Sequence, residues 1–153
     1  MKKLLILVPF IFQIQGCNEA SATSPVVSTK YEILHQSQYN EYADSTNKSV
    51  IIIRSQLDYE NELLKRTSET IKLVNFEEET ILLIDMGARK SGGYDIDIQS
   101  FTEENDYIRT KIIYSLPGDN CSTTQANTNP FKLIKIKTTK EVLVTEELST
   151  SSC

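Results

Sequence analysis

The chain has 153 residues, a formal net charge of −5, 39% hydrophobic and 24% charged residues. That length holds one modest domain with its own core, and the balance excludes a disordered chain. The acidic sign excludes a polyanion-binding surface, so nucleic acid is not expected as a partner. Three cysteines make an odd count that calls for a division of roles.

Lys2-Lys3, the apolar run from Leu4 to Phe12 and the sequence Ile14-Gln15-Gly16-Cys17 follow the order of an export signal. The run is broken by Pro9 and is far shorter than the roughly 20 residues of a membrane-crossing helix. Residues 1–16 read as a signal peptide of lipoprotein type. A cysteine directly after Gly16 has the pattern of a bacterial lipobox, in which the Cys17 thiol is diacylated and becomes the new N-terminus. Gln15 departs from the small residue usual two positions earlier, and a conventionally cleaved or uncleaved segment is the alternative. A diacylglyceryl thioether plus an N-acyl chain gives three acyl chains, and with each buried CH₂ contributing about 0.8 kcal/mol such an anchor is effectively permanent. The membrane is thus expected as a partner through lipid. Residues 17–30, rich in Ser, Thr and Ala, read as a flexible tether. No aspartate follows Cys17, which in a two-membrane envelope favours the outer membrane or cell surface over the inner membrane.

The folded part is expected over 31–146. Tyr31 to His35 reads as a strand, followed by a polar stretch through Asn47. Val50-Ile51-Ile52-Ile53, with four β-branched residues in a row, suits a sheet interior. Ser55 then reads as an N-cap with Asp58 three residues on, and Leu57, Leu63 and Leu64 recur at helical spacing up to Lys65 and Arg66. Ile81-Leu82-Leu83-Ile84 is a second buried strand. Tyr94, Ile96 and Ile98 alternate with Asp95, Asp97 and Gln99, the period-two pattern of a strand with one wet face. Tyr107 to Tyr114 answers it after an acidic turn. Phe131 to Ile136 leads to Val142-Leu143-Val144 across a turn at Thr138-Thr139-Lys140, and residues 147–153 read as a Ser/Thr-rich tail. The class is α+β, a mostly antiparallel β-sheet, sandwich- or barrel-like, with one helix.

Cys121 and Cys153 remain once Cys17 is assigned to lipid, and an exported protein meets an oxidising compartment. A disulfide between them would close a loop of about 30 residues, worth about 3 kcal/mol or more by chain entropy. Two free thiols are the alternative.

Two segments resemble a known family. One is Phe76 followed by Ile81 to Asp85, Gly87 and Lys90-Ser91-Gly92-Gly93-Tyr94-Asp95-Ile96. The other is Pro117-Gly118-Asp119-Asn120-Cys121, Thr124-Gln125-Ala126, Thr128 and Pro130-Phe131-Lys132-Leu133-Ile134. In this order they are similar to the C-terminal domain of the protease-complex subunit PrcB family. The helix with Tyr59 to Leu64 sits where that domain carries its helix, and the resemblance spans roughly residues 31–145. Asp119-Asn120 stand in a turn that is often Gly-rich, and Phe131 replaces a frequent Tyr. The resemblance implies an exported, often lipid-anchored protein that binds another protein, a protease among the candidates, and is not itself an enzyme.

The residues read alone agree in kind. Gly92-Gly93 permits positive φ and a tight hairpin, or a loop presented to a partner. The polar run from Cys121 to Asn129 exceeds an ordinary hairpin loop, and long loops on rigid sheets are where binding resides. A disulfide at one end and Pro130 at the other would pre-organise it. The expected partner-binding loops are therefore Lys90, Ser91, Gly92, Gly93 and Tyr94 with Pro117, Gly118, Gln125, Thr128, Pro130 and Phe131.

Catalytic groups are not legible. His35 reads as a structural histidine without a paired nucleophile. Gly87 to Gly93 lacks the Gly-Lys-Ser/Thr ending and the following helix of a phosphate loop. Asp85, Asp95 and Asp97 read as a solvated face ahead of a cation site. No cofactor and no metal are expected. A small-ligand or carbohydrate-binding domain is the alternative, with Tyr94, Tyr107 and Tyr114 stacking on sugar rings if they share a concave face.

Overall fold

A computed structural model describes residues 31–42 and 47–152. The expected signal peptide, tether and Cys17, as well as Cys153, lie outside the described residues. Seven strands and one helix follow in the order β1 (Tyr31–Ser37), β2 (Ser49–Ile53), α1 (Gln56–Leu64), β3 (Thr80–Asp85), β4 (Asp95–Glu103), β5 (Tyr107–Pro117), β6 (Phe131–Ile136) and β7 (Glu141–Ser151). They form a four-stranded antiparallel sheet in the order β1-β6-β3-β2 and a three-stranded sheet in the order β4-β5-β7. The class is α+β as expected, and the strands do not close into a barrel.

β3 is buried along its whole length because both of its faces are covered. Leu82 and Ile84, with Ile134 and Ile136 of β6, pack against Ile96, Ile98, Ile108, Ile112 and Tyr114 of the other sheet. Ile81 and Leu83, with Phe131 and Leu133, pack on the opposite side against Tyr59 and Leu63 of α1. The result is three layers: the small sheet, the large sheet, and the helix. Ser55 caps α1 by accepting from the Asp58 backbone N–H, as expected. The buried stripe is Tyr59 and Leu63, four residues apart, whereas Leu57 and Leu64 are more than half exposed. Of the three leucines only Leu63 lies in the stripe, and a tyrosine supplies the other contact.

Bulges adjust two strands. In β4 the register shifts between Ile98 and Ser100, so Phe101 turns inward three residues after Ile98 instead of two. In β1 the shift falls between Ile33 and His35 and leaves Leu34 and His35 both buried. His35 Nδ1 lies 2.5 Å from Glu69 Oε2 and Nε2 lies 2.8 Å from the Tyr59 hydroxyl. A carboxylate only accepts, so Nδ1 donates to Glu69, and Nε2 is hydrogen-bonded to the Tyr59 hydroxyl, which makes this a satisfied structural histidine. Burial pushes the Tyr59 phenol above its ordinary pKa.

The path differs from the expected one at four places. Thr138-Thr139-Lys140 is a crossover to the other sheet and not a hairpin, because both edges of β6 are already occupied by β1 and β3. The crossover is held by Arg54, whose guanidinium donates to Thr139 O at 3.0 Å and Lys140 O at 2.6 Å. β7 then pairs in parallel with β5 from Tyr107↔Glu141 to Pro117↔Ser151, so most of the expected Ser/Thr tail is strand. Gly92-Gly93 likewise lies on a connection between sheets instead of in a hairpin. β2, expected in a sheet interior, is an edge strand.

A buried ion pair joins the helix layer to the large sheet. Asp85, at the end of β3 and 0% exposed, accepts from Arg66 Nε at 2.9 Å, while Arg66 also reaches Glu62 Oε2 at 2.8 Å. Asp85 Oδ1 accepts from the Gly87 N–H at 2.8 Å. Removing one partner of such a pair strands a buried charge. Asp85→Ala is therefore expected to cost about 3–5 kcal/mol. Urea unfolding measures it, and a loss below about 1 kcal/mol would contradict a structural role for the pair.

Candidate functional site

Asp85 also fixes where two connections begin and end. The β3–β4 connection leaves directly after it, and Phe131, its register partner, ends the β5–β6 connection. Met86 N–H donates to Pro130 O at 2.9 Å, continuing the pairing one step beyond the strands. Arg89 and Thr128 then exchange both backbone bonds, at 2.8 and 2.9 Å, as an isolated antiparallel bridge. Gly92 N–H donates to Thr124 O at 3.0 Å, and the Thr128 hydroxyl donates to Ser91 O at 2.7 Å. The two loops singled out in the sequence are thus stitched into one irregular ribbon.

A third element joins them. Asn129 N–H donates to Gln38 O at 2.9 Å, bringing the segment after β1 alongside. Three adjoining depressions of about 450, 380 and 430 Å³ result. The first lies between Gln36–Gln38, Asp95–Ile96 and Pro130–Lys132, the second between Tyr39, Ala88–Lys90 and Asn127–Asn129, and the third between Gln38, Gly92–Asp95 and Thr124. Tyr39 is 54% exposed and borders two of them. The charged residues along their walls are Arg89, Lys90, Lys132 and Asp95, a locally cationic balance on an acidic chain. Arg89 is fixed by a 2.6 Å bond to Met86 O and lies over the Tyr94 ring at 5.5 Å. Its buried Nε has no hydrogen-bond partner among the described residues.

The expected loop residues divide by role. Lys90, Gly92, Gly93, Tyr94, Thr128 and Pro130 border the depressions. Ser91 supplies the carbonyl that holds Thr128, and Gln125 stands exposed beside them. Pro117 and Gly118 sit at the end of β5, where Gly118 approaches Ser151 O of β7 so closely that an added Cβ would lie 2.4 Å away. The Phe131 ring is 2% exposed and belongs to the core under α1, so its side chain is packing and not contact surface. Gln38, Tyr39 and Asn129 were missed. The signal was present, since Tyr39 and Tyr42 are aromatics in an otherwise polar stretch.

Other expected constellations are dispersed. Tyr107 and Tyr114, seven apart on β5, point to opposite sheet faces. Tyr114 is buried and donates to Glu146 at 2.5 Å, and burial with that carboxylate drives its pKa well above the ordinary value. The three tyrosines therefore form no shared stacking face. Asp85 is committed to Arg66, while Asp95 and Asp97 lie exposed on the outer face of β4. Among the described residues no group of three or more His, Cys, Asp or Glu is placed to hold a metal ion.

Residues 80–137, from the start of β3 to just past β6, match the family model described as PrcB C-terminal. The segment that supplies both stitched loops is thus similar to that family, in line with the sequence resemblance. No curated protein and no solved structure matches the chain.

Gly93 has φ +88°, and a Cβ there would meet Thr123 Cγ2 at 3.1 Å and Pro117 Cβ at 3.2 Å. Gly93→Ala is expected to destabilise the protein by about 1–2 kcal/mol. Gly92→Ala should cost less, because its nearest obstacle is the Thr124 hydroxyl, which can rotate away. Thermal unfolding of both variants checks the order, and a more damaging Gly92 variant would contradict it.

Proposed function

We propose that this chain, whose segment 80–137 matches the family model described as PrcB C-terminal, is a non-catalytic, lipid-anchored extracytoplasmic module that binds another protein. The partner class is a secreted or surface protease, which the module stabilises or localises. The observation that carries this reading is the stitched surface of three segments, Gln36–Asn40, Ala88–Asp95 and Thr124–Lys132. Backbone bonds hold these loops in place before any partner arrives, which lowers the ordering cost of association. The open, shallow shape and the mixture of Asn, Thr, Gln and Tyr with a few cations suit a hydrogen-bonding protein surface.

Cys17 would attach the domain to the outer membrane or cell surface. The disulfide belongs to the same reading: Cys121 Sγ lies 3.7 Å from Ser151 O, two residues before Cys153. A Cys121–Cys153 bond would fasten the end of β7 beneath the long loop.

A photo-crosslinking residue at Lys90 or Gln125, both exposed, tests the surface in native envelopes. A protease captured from these positions but not from Leu57 on the helix is expected; equal capture from all three, or capture of none, contradicts the reading. In the same preparation, mass analysis is expected to find acylated Cys17 and a Cys121–Cys153 linkage. Cys17→Ala protein that stays membrane-bound would rule out the anchor.

A further inference from the structure

The four sheet edges are unequal. β1 and β4 each carry a bulge, and β2 has five residues. Short strands and bulges are ways in which proteins blunt free edges against pairing. β7 has neither: it runs eleven residues in unbroken register on β5, with no Lys, Arg or Pro from Glu141 to Ser151. Among the described residues no strand pairs with its outer edge.

The inner face beside it is short of one strand. Val50 and Ile52 of β2 pair with Ile84 and Leu82, whose side chains point toward the small sheet. Ile52 is nevertheless 40% exposed, because the small sheet has three strands where the large one has four. A groove of about 350 Å³ opens there, walled by Val50, Ile52, Val142, Leu143, Val144 and Glu146.

We propose that the free edge of β7 is a strand-addition site for an extended segment of another protein. That segment alternates apolar side chains, covering Ile52, with basic ones on the outer face. Main-chain pairing supplies affinity and the groove supplies side-chain selection. Charge selects the occupant. On its outer face β7 carries Glu141 and Glu147; Lys111 pairs with Glu147 and Glu141 has no ion pair among the described residues, while Glu146 lies on the inner face, paired with Lys48 and accepting from Tyr114. A second copy is disfavoured, since full antiparallel overlap of two β7 strands sets Glu146 opposite its own counterpart. This site is separate from the loop surface and stands or falls without it.

The test uses the full chain and a capped eight-residue peptide of alternating valine and lysine. Saturable binding is expected by calorimetry, with new amide-exchange protection in β7. Replacing the peptide lysines by glutamate should weaken binding by about tenfold or more. Methylating alternate peptide amides should abolish it. Ile52→Lys, at an exposed position, should weaken it similarly while circular dichroism stays unchanged. Equal binding of the glutamate or methylated peptide, or no binding of the lysine peptide, overturns the proposal. So does a concentration-dependent dimer protected along β7, which would make the occupant a second copy.

Discussion

The buried pair between Asp85 and Arg66 is the constraint on which the remaining geometry hangs. A carboxylate with no solvent exposure requires a charged or hydrogen-bonding environment on every side. Arg66 provides part of it from the chain just after α1, and the Gly87 N–H provides part from the first residues of the loop. The helix, the end of the central strand and the start of the β3–β4 connection are therefore fixed relative to one another by one side chain. Because Asp85 is also in register with Phe131, the return of the β5–β6 connection is fixed at the same point. Such a pair contributes position more securely than it contributes stability, since burying both charges costs much of what their attraction returns.

From that node the proposed binding surface follows by short steps. The Met86–Pro130 bond and the Arg89–Thr128 bridge extend antiparallel pairing into what the sequence presents as two loops. Gly92 can lie against Thr124 because it has no side chain, and Gly93 turns the chain toward β4 with a positive φ. Order in this region thus comes from backbone bonds between loops, while the side chains that face solvent remain free to meet a partner. The β7 edge has the opposite character: among the described residues no strand pairs with its outer side, and the proposal there rests on its regularity rather than on irregularity.

Much of the fold was legible in the sequence because local signals and burial agree. The Ser55 cap, the all-apolar β3 and the alternation in β4 each identify an element directly. What was not legible depends on which strand edges are already taken. Nothing in Phe131 to Val144 reveals that β1 and β3 occupy both sides of β6, so a hairpin across Thr138 to Lys140 is the natural local reading. Asp85 looks like part of an acidic face until Arg66, nineteen positions earlier, is seen to reach it. At the candidate site, glycine and loop length pointed to two segments that the structure brings together. Phe131 misled because an aromatic beside a loop reads as contact surface, whereas strand parity turns it under the helix.

The account stands on the claim that the loop surface is ordered before binding. Native-state amide hydrogen exchange at Arg89, Gly92, Thr128 and Asn129, whose N–H groups all donate to backbone carbonyls, tests this most directly. The account predicts protection approaching that of β3 and β6, lost together when Asp85 is replaced by alanine. Exchange at these amides as fast as in an unstructured peptide, with β3 and β6 still protected, would contradict it.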